Sequence, residues 1–292
     1  MSSVQRITLV KAAKPTWSRG RFLVVSCLSI LSLSLGSIVP THANAATLAE
    51  IKAQGLSVAT EDDFKPFEFV ENGVPTGFDT ELLAMVKKKL GVEIKQNIMP
   101  WPGILPGVTT GKFDAAVTAV LVTPERKGTF DFTTPVAEST TFFATKKGSS
   151  IKSADDLIGK VVGAQTGSAM LGDLKALNQD LKSKHGGSGI KEIVEYQSYP
   201  EAYQDVANGR LDAVANTQIN LNSLIQTRAD MFALGGKVGN PVYISWALKK
   251  GNTVTLDFLN GALVDLRKSG DIYKLQKKWF GASFETMPLS VN

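Results

Sequence analysis

The chain contains very little cysteine and histidine. Of its 292 residues, one is a cysteine, Cys27, and two are histidines, His42 and His185. A single thiol forms no internal disulfide and no cysteine cluster for a metal, and two histidines argue against a zinc site or a Ser-His-Asp triad. The sequence also lacks the glycine patterns G-x-G-x-x-G and G-x-x-x-x-G-K that cradle nucleotide phosphates. We therefore expect no metal and no cofactor.

The net charge of +5 does not indicate a nucleic-acid-binding protein. Residues 1–45 carry five basic residues and no acidic one, so the rest of the chain has 27 basic and 27 acidic residues. A chain without a basic surplus offers no electrostatic footprint for a phosphate backbone. We expect no nucleic-acid partner.

Residues 1–45 have the features of a secretory signal peptide. A basic start leads into an uncharged run over 22–39, and Ala43-Asn44-Ala45 provides a small-x-small cleavage pattern. Cleavage after Ala45 would remove Cys27 and leave a chain without cysteine, which suits an oxidising envelope compartment. The alternatives are an uncleaved membrane anchor and a lipoprotein acylated at Cys27, although the apolar run continues beyond that cysteine. We predict a periplasmic protein.

After residue 45, short apolar runs alternate with helical patterns, which predicts an α/β fold. Strands are predicted at 55–60, 92–98, 113–120, 139–146, 160–165, 211–215 and 242–248, and helices are predicted to begin at 78, 104, 199, 256 and 271 and after 168. Asp79 is expected to cap its helix, while Asp114 and Asp212, each in a Gly-x-x-Asp-Ala string, are expected to be structural. Ligands in open α/β sheets bind beyond the carboxyl ends of strands, so the residues at those ends are candidates for a site.

Nine short strings occur in one order along the chain. They are Lys65-Pro66-Phe67-Glu68-Phe69, Thr76-Gly77-Phe78-Asp79, Ile104-Leu105-Pro106-Gly107, Gly111-Lys112-Phe113-Asp114-Ala115-Ala116, Thr123-Pro124-Glu125-Arg126, Asp131-Phe132-Thr133-Thr134-Pro135, Val162-Gly163-Ala164-Gln165-Thr166-Gly167-Ser168, Gly209-Arg210-Leu211-Asp212-Ala213 and Lys277-Lys278-Trp279-Phe280-Gly281. With these strings the chain resembles the polar amino-acid family of periplasmic solute-binding proteins, family 3 of the bacterial extracellular binders, which capture ligands for ABC importers. The resemblance covers nearly all of the chain after residue 45.

This resemblance implies a two-lobed periplasmic binding protein fold of type II. Two crossover strands would act as the hinge, and the ligand would lie in the cleft between the lobes. The first lobe is expected to be discontinuous, formed by residues 46–137 and 244–292, and the second lobe to comprise residues 138–243.

Arg126 is the leading candidate for binding the ligand. A guanidinium presents a planar fork of donors that matches a carboxylate, and in the family the arginine of the Thr-Pro-x-Arg string grips the ligand carboxylate. The resemblance places the aromatic rings of Phe64 and Trp101 against the ligand body. Glu61 ends the first predicted strand, where cation-binding relatives keep an acid. The alternatives are a surface arginine, core aromatic rings and a solvated acid.

Four further candidates lie at the ends of predicted strands. Gly167 and Ser168 connect a strand to a helix, where free backbone amides suit a carboxylate, although Ser168 could equally be an ordinary N-cap. Thr118 and the backbone of Val120 lie along the exit of the third predicted strand. All four would face the cleft if the strands end as predicted.

The chain departs from the family pattern at several positions of the expected site. Where members often carry an aspartate for the ligand's ammonium group, this chain has Thr217, preceded by Asn216, and two usual hydroxyl positions hold Leu121 and Ala169. A buried ammonium without a carboxylate is costly. The departures therefore favour a carboxylate with an apolar or aromatic body, or a derivatised amino acid such as an opine, unless Asn216 or Glu61 binds the ammonium.

The sequence thus predicts a monomeric, non-enzymatic protein that captures a small carboxylate-bearing solute and delivers it to an inner-membrane permease. The alternative is an enzyme similar to cyclohexadienyl dehydratases, which resemble these binders; Glu61, Asp62 or Glu138 would be its general acid. A sensor input domain is less favoured, because no kinase module or second hydrophobic segment follows Gly281.

Overall fold

Two β-sheets with the same strand arrangement form the frame of the protein. The computed structural model describes residues 47–292, which belong to one compact unit. The predicted signal peptide, including Cys27, lies outside the described residues. No helix between residues 47 and 292 combines the length and the apolar character that crossing a membrane requires.

Strands and helices alternate along most of the described chain. The strands β1 to β14 are Leu56–Glu61, Asp63–Phe64, Glu68–Glu71, Val74–Thr76, Ile94–Met99, Ala115–Leu121, Phe130–Phe132, Ala137–Ser139, Thr141–Lys146, Val161–Gln165, Glu192–Tyr196, Ala213–Thr217, Phe232–Lys237 and Val242–Lys249. The helices α1 to α9 are Leu48–Gln54, Phe78–Leu90, Ile104–Thr109, Pro124–Lys127, Ala169–Lys184, Tyr199–Asn208, Gln218–Thr227, Thr253–Lys268 and Asp271–Phe280. Two single 3₁₀ turns, Trp101–Gly103 and Asp155–Leu157, complete the set.

The two sheets are connected twice. The first sheet has the order β5-β1-β6-β14-β7, with β8 paired to β14, and the second has the order β11-β10-β12-β9-β13. Each sheet has three neighbouring parallel strands followed by two antiparallel pairings. Only Thr140 separates β8 of the first sheet from β9 of the second, and β13 leads back into β14. This confirms the predicted two-lobed α/β fold.

We call the parts around the two sheets the first lobe and the second lobe. The first sheet uses strands from both ends of the described chain, and the second uses strands from its middle. The predicted lobe limits, 137/138 and 243/244, fall at strands β8 and β14, which pair with each other. The limits themselves stay predictions.

Helix α2 illustrates how sequence fixes local structure. Its buried face includes Phe78, Leu82 and Val86, at the spacing of one side of a helix. Acidic residues lie in its first turn and three lysines in its last, which matches the helix dipole. The expected cap was wrong: Gly77 is the N-cap, and Asp79 is fully buried, where its carboxylate accepts a hydrogen bond from the Trp246 indole at 2.6 Å.

Asp114 and Asp212 perform the same structural task in the two lobes. A carboxylate oxygen of Asp114 accepts a hydrogen bond from the amide of Ser57 at 2.7 Å, and one of Asp212 accepts from the amide of Val161 at 2.8 Å. Each aspartate therefore fixes the start of one parallel strand beside its neighbour. The prediction that both are structural is confirmed.

The predicted strands and helices all occur, but five strands end one or two residues later than predicted. β1 ends at Glu61, β5 at Met99, β6 at Leu121, β12 at Thr217 and β14 at Lys249. The elements that had not been predicted are the small sheet of β2, β3 and β4, the strands β7, β8, β11 and β13, and the helices α1, α4 and α7. The extensions matter because a side chain at a strand end points to one face of the sheet or the other.

Candidate functional site

Arg126 is held by a single capped turn of the first lobe. The turn is α4, whose N-cap Thr123 accepts a hydrogen bond from the Arg126 amide at 3.2 Å. Pro124 occupies the first helical position, where a missing N–H costs nothing. The side chain folds back, so that Nη1 donates to the carbonyl of Leu121 at 2.9 Å. The Thr-Pro-x-Arg string thus aims the guanidinium at the end of β6.

The guanidinium of Arg126 reaches the second lobe without meeting an acid. Its Nη2 donates to the carbonyl of Gly167 at 3.2 Å, and its Cζ lies 5.2 Å from the centre of the Trp101 ring. Within residues 47–292, no carboxylate forms an ion pair with it. Burial lowers the pKa of Arg126 to about 10, so the group stays charged at neutral pH. A partly desolvated cation held by carbonyl dipoles and a π face is prepared to receive an anion.

Glu61 is the acid of the site. It is buried at the end of β1, and its carboxylate accepts a hydrogen bond from Nε2 of Gln165, across the cleft, at 2.6 Å. Burial raises the pKa of Glu61 to about 8, against the smaller opposing effect of Gln165. At neutral pH the carboxyl group is therefore mostly protonated, and a cationic group placed beside it would favour its ionised form.

The second lobe contributes the start of a helix. Ser168 is the N-cap of α5, and its hydroxyl oxygen accepts a hydrogen bond from the Leu171 amide at 3.1 Å. The amide of Ser168 itself is bonded to the carbonyl of Gln165. The first amides of the helix, those of Ala169 and Met170, have no intrahelical acceptor and point away from the helix body, as the N-terminal amides of any helix do.

These groups surround a small cavity between the lobes. Its volume is about 10 Å³, and it is lined by Glu61, Phe64, Trp101, Arg126 and Ser168, by Gln165, and by four apolar residues. That volume is about what one water molecule needs, so the lobes are closed on each other. A cavity of about 580 Å³ adjoins it on the side of Arg126, Gly167 and Ser168. Five of the predicted residues thus line the small cavity, and a sixth, Gly167, lines the adjoining one; their role in binding stays a prediction.

Thr118 and Val120 lie on β6 but contribute no side chain to this cavity. The hydroxyl of Thr118 donates to the buried carboxylate of Glu68, on the inner face of the first lobe. The side chain of Val120 packs in an apolar cluster with Ile104 and Phe132. The carbonyl at the strand exit that contacts Arg126 belongs to Leu121. Side chains alternate between the faces of a strand, so Ala119 and Leu121 face the small cavity and Thr118 and Val120 point to the other face.

Asn216 and Thr217 are fully buried and satisfied inside the second lobe. Nδ2 of Asn216 donates to the Tyr203 hydroxyl at 2.7 Å, and its Oδ1 accepts from the amide of Thr217 at 2.7 Å. Thr217 caps α7 and its hydroxyl donates to Oδ1 of Asn220. Asn220 in turn donates across the cleft to the carbonyl of Lys65 at 2.7 Å. Thr217 therefore holds Asn220 in place, Asn216 is bonded to Tyr203, and neither lines the small cavity.

Several residues of the site were missed by sequence reasoning. Gln165, which contacts Glu61, was recognised only as the end of a strand. Four apolar lining residues had been named without a binding role or not at all: Ala119, Leu121, Ala169 and Met170. Gln165 could have been found from the same strand-end argument that selected Glu61. Nothing in the sequence alone marks Asn220, whose contact partner is far away in the chain.

Known proteins resemble this chain over most of its length. The family model described as bacterial extracellular solute-binding proteins, family 3, matches residues 56–282. The L-cystine-binding protein TcyJ of Escherichia coli is 31% identical over 90% of this chain and 96% of its own length. The arginine-binding extracellular protein ArtP of Bacillus subtilis is 28% identical over 88% of this chain and 96% of its own length. These relatives are named as binding proteins, and none of the three names above is that of an enzyme.

Solved structures agree with these sequence matches. An ancestral arginine-binding protein bound to arginine superimposes with a TM-score of 0.70, at 34% identity, over 77% of this chain and 98% of that one. A mutant of the arginine-binding protein ArgBP from T. maritima superimposes with the same TM-score, at 32% identity, over 80% of this chain and 98% of that one.

Proposed function

The chain belongs to the bacterial extracellular solute-binding proteins of family 3, and on that premise we propose that it is the exported binding component of an ABC importer for an amino acid. It captures the amino acid in the cleft between its lobes, as a monomer in the periplasm, and delivers it to a permease of the inner membrane. It performs no chemistry on the ligand.

The observation that carries this proposal is the guanidinium of Arg126. It is charged at neutral pH, lies between the two lobes and has carbonyl partners but no acid within the described chain. A ligand carboxylate would take the place of the Gly167 carbonyl and accept two parallel hydrogen bonds from the fork. The free amides at the start of α5 would add further donors from the opposite lobe.

Capture requires the lobes to open and close. The small cavity is closed in this structure, and hydrogen bonds from Arg126 to Gly167 and from Gln165 to Glu61 cross the cleft. A ligand that contacts Arg126 on one wall and α5 on the other makes its full set of contacts only after closure. It therefore shifts the population from open to closed by the free energy of those additional contacts.

Glu61 favours a ligand with a positive group. With Asn216 and Thr217 occupied inside the second lobe, Glu61 is the acid available in the small cavity for the ligand's ammonium or guanidinium group. We therefore rank L-arginine and L-cystine, the ligands in the names of the relatives, first among the candidates. An opine also carries a carboxylate and a cationic nitrogen, whereas an aromatic acid without an amino group would leave Glu61 without a partner.

The test is a thermal-shift screen of amino acids, opines and aromatic acids, followed by calorimetric titration of each compound that raises the melting temperature. We expect an amino acid to bind with a dissociation constant in the micromolar range or below, about −8 kcal/mol or stronger. The variant Arg126→Ala should lose binding of every such ligand, while the neighbouring exposed Lys127→Ala should bind normally. Unchanged affinity in Arg126→Ala would overturn the proposal.

The burial of Glu61 also supports a second candidate function. A carboxyl group that is protonated at neutral pH and lies beside an arginine is what a dehydratase needs as general acid for a leaving hydroxyl group. Incubation of the purified protein with prephenate or arogenate, followed by product analysis, separates the two functions. We expect no turnover; conversion that Glu61→Gln abolishes would establish the enzyme instead.

A further inference from the structure

A third cavity between the lobes plays no part in the function proposed above. It has a volume of about 280 Å³ and is bounded by residues of β2 in the first lobe and of α6 and α7 in the second. We call it the distal cavity. It is many times larger than the cavity of about 10 Å³ beside Arg126. Its size is that of a small-molecule compartment rather than a packing defect.

Phe64 lines both cavities. Its ring is buried and its centre lies 5.7 Å from that of Tyr199, which in turn lies 5.7 Å from that of Tyr203. Tyr199 and Tyr203 both line the distal cavity. The three rings form a continuous apolar wall from the neighbourhood of Arg126 into the distal cavity, along which the uncharged middle of a ligand can pack.

Two side chains of opposite charge line the distal cavity without partners. Asp63 is half-buried, and its carboxylate has neither a hydrogen bond nor an ion pair to any residue of the described chain. Burial raises the pKa of Asp63, while the charges of Lys65 and Arg228 oppose that effect. Arg228 lies at the exposed mouth of the cavity, and its guanidinium has no side-chain partner in residues 47–292. Lys65 also lines the cavity, and its ammonium lies over the Phe69 ring at 4.6 Å.

Tyr203 adds a hydrogen-bond donor to the distal cavity. Its hydroxyl oxygen accepts a hydrogen bond from Asn216, so its own proton is left to donate elsewhere. Burial raises the pKa of Tyr203, which keeps the hydroxyl protonated. The distal cavity therefore offers an acid, a guanidinium and a hydroxyl donor, the groups that recognise an ammonium and a carboxylate together.

We propose that the distal cavity receives the second amino-acid head of an elongated, two-headed solute, whose first carboxylate is held by Arg126. The distal ammonium would bind Asp63 and the distal carboxylate would bind Arg228 and Tyr203. One acid and one arginine then serve each head: Glu61 with Arg126, and Asp63 with Arg228. This inference rests on the proposed function and narrows its substrate class to two α-amino-acid heads joined by a short linker.

The test compares a two-headed probe with a one-headed one, L-cystine with S-methyl-L-cysteine, by calorimetric titration. The described chain contains no cysteine, so it cannot exchange thiols with the disulfide of the probe. We expect L-cystine to bind more tightly than S-methyl-L-cysteine. The variants Asp63→Asn and Arg228→Gln should each weaken L-cystine about tenfold to a hundredfold, the loss expected for a hydrogen bond to a charged group, and leave the one-headed probe unchanged.

The matched control is Asp62→Asn, which removes the same charge one residue away and outside the distal cavity. Asp62 and Asp63 both raise the pKa of Glu61, so an effect of Asp63→Asn that acts through Glu61 should also appear in Asp62→Asn. The control should leave the preference for L-cystine over S-methyl-L-cysteine unchanged. Equal weakening of both probes by Asp63→Asn or Arg228→Gln would show that these side chains act only structurally, and it would overturn the inference. Tighter binding of S-methyl-L-cysteine than of L-cystine would overturn it as well. So would tighter binding of L-arginine with an affinity that Arg228→Gln does not change. In those cases Arg126→Ala still abolishes binding and the proposed function stands. If no amino acid binds, or if Arg126→Ala binds normally, the proposed function fails and this inference fails with it.

Discussion

The two lobes share one strand arrangement but bring different chemistry to the small cavity. The first lobe supplies the charged groups, Arg126 and Glu61, at the ends of β6 and β1. The second lobe supplies neutral polar groups at equivalent strand ends, Gln165 and Ser168, together with helix amides. The comparison teaches that the frame fixes where a site forms, because strand ends meet at one edge, while the residue at each end decides what it binds.

The largest effect should come from the side of the small cavity formed by Arg126 and Glu61, which we call the charged wall. Replacing Arg126 by lysine keeps the charge but removes the planar fork, so one ammonium must replace bonds to Leu121, Gly167 and the ligand carboxylate. We expect the affinity for the amino acid found in the screen to fall by about two orders of magnitude, in the range measured for truncated buried charge pairs. Calorimetric titration of Arg126→Lys measures it.

The opposite side of the small cavity, formed by Gln165, Ser168 and the first amides of α5, is the neutral wall, and we expect it to contribute less to the affinity. Ser168→Ala removes the N-cap hydroxyl of α5, and water can partly take its place as the acceptor for the freed amide. We expect an affinity loss below about tenfold and a decrease of about 1 kcal/mol in the free energy of unfolding. A loss as large as that in Arg126→Lys would contradict the division between a charged wall and a neutral wall.

The next largest effect concerns pH. Because burial raises the pKa of Glu61 from its ordinary value of 4.5 to about 8, the folded protein holds a proton that the unfolded chain releases above pH 4.5. The contribution of Glu61 to stability is therefore highest below about pH 4.5 and decreases as the pH rises towards 8. A cationic ligand needs the ionised carboxylate, so its affinity should increase over the same interval and level off above pH 8.

Glu61→Gln is the control for this pH dependence. The variant should lose most of the pH dependence of affinity between pH 5 and 8, and its unfolding free energy should fall less with pH than that of the wild type. Titrations in buffers of different ionisation enthalpy measure proton release on binding. An unchanged proton release in Glu61→Gln would show that another group titrates.

A smaller effect should follow from giving the second lobe an acid. Thr217→Asp keeps an N-cap residue on α7, since aspartate caps as well as threonine does. Because Thr217 is fully buried and does not line the small cavity, we expect the new carboxylate to change the affinity for α-amino acids by less than about tenfold, below about 1.4 kcal/mol. A larger gain would show that the carboxylate reaches the ligand's ammonium group. Weaker binding with an unchanged melting temperature would mean that the hydrogen bond between Thr217 and Asn220 contributes more to the affinity than the added charge does.

The smallest effects on binding should come from the two structural aspartates, whose replacement changes stability instead. Asp114 is half-buried and Asp212 is exposed, although each accepts a hydrogen bond from the neighbouring strand. We expect Asp114→Ala to lower the free energy of unfolding by about 1–3 kcal/mol and Asp212→Ala by about 0.5–1 kcal/mol, because an unsatisfied amide costs more when water cannot reach it. Denaturant titrations without ligand measure both; equal losses would contradict the argument from burial.

Sequence reasoning predicted the central strands because they are continuous apolar runs bounded by turns. It missed β2 to β4, which are only two to four residues long and form no apolar run. It also placed Asp79 on a helix cap, whereas the fold buries this acid beside Trp246, 167 residues further along the chain. No local pattern encodes such a pair, because the partner is brought by the sheet and not by the helix.

The site divides in the same way. Arg126 and the Ser168 cap could be predicted because a few adjacent residues build each of them: Thr123 and Pro124 form the turn of one, and β10 and α5 flank the other. Thr118 and Asn216 were named as ligand contacts, but their hydrogen bonds go to Glu68 and Tyr203. Alternate side chains of a strand point to opposite faces, and a continuous apolar run does not show which face meets the cleft.

The sequence by itself determined the α/β class and the capped turn that holds Arg126, since both depend on neighbours along the chain. The strand-end location of the candidate site was inferred from the fold class, and the binding role of Arg126 from the family resemblance. Only the tertiary structure decided that Glu61 is buried against Gln165 and that the Thr217 hydroxyl is hydrogen-bonded to Asn220. It also decided that Phe64 borders a distal cavity lined by Asp63 and Arg228. These features arise where segments distant in the chain meet, and burial, hydrogen bonding and charge there depend on that meeting.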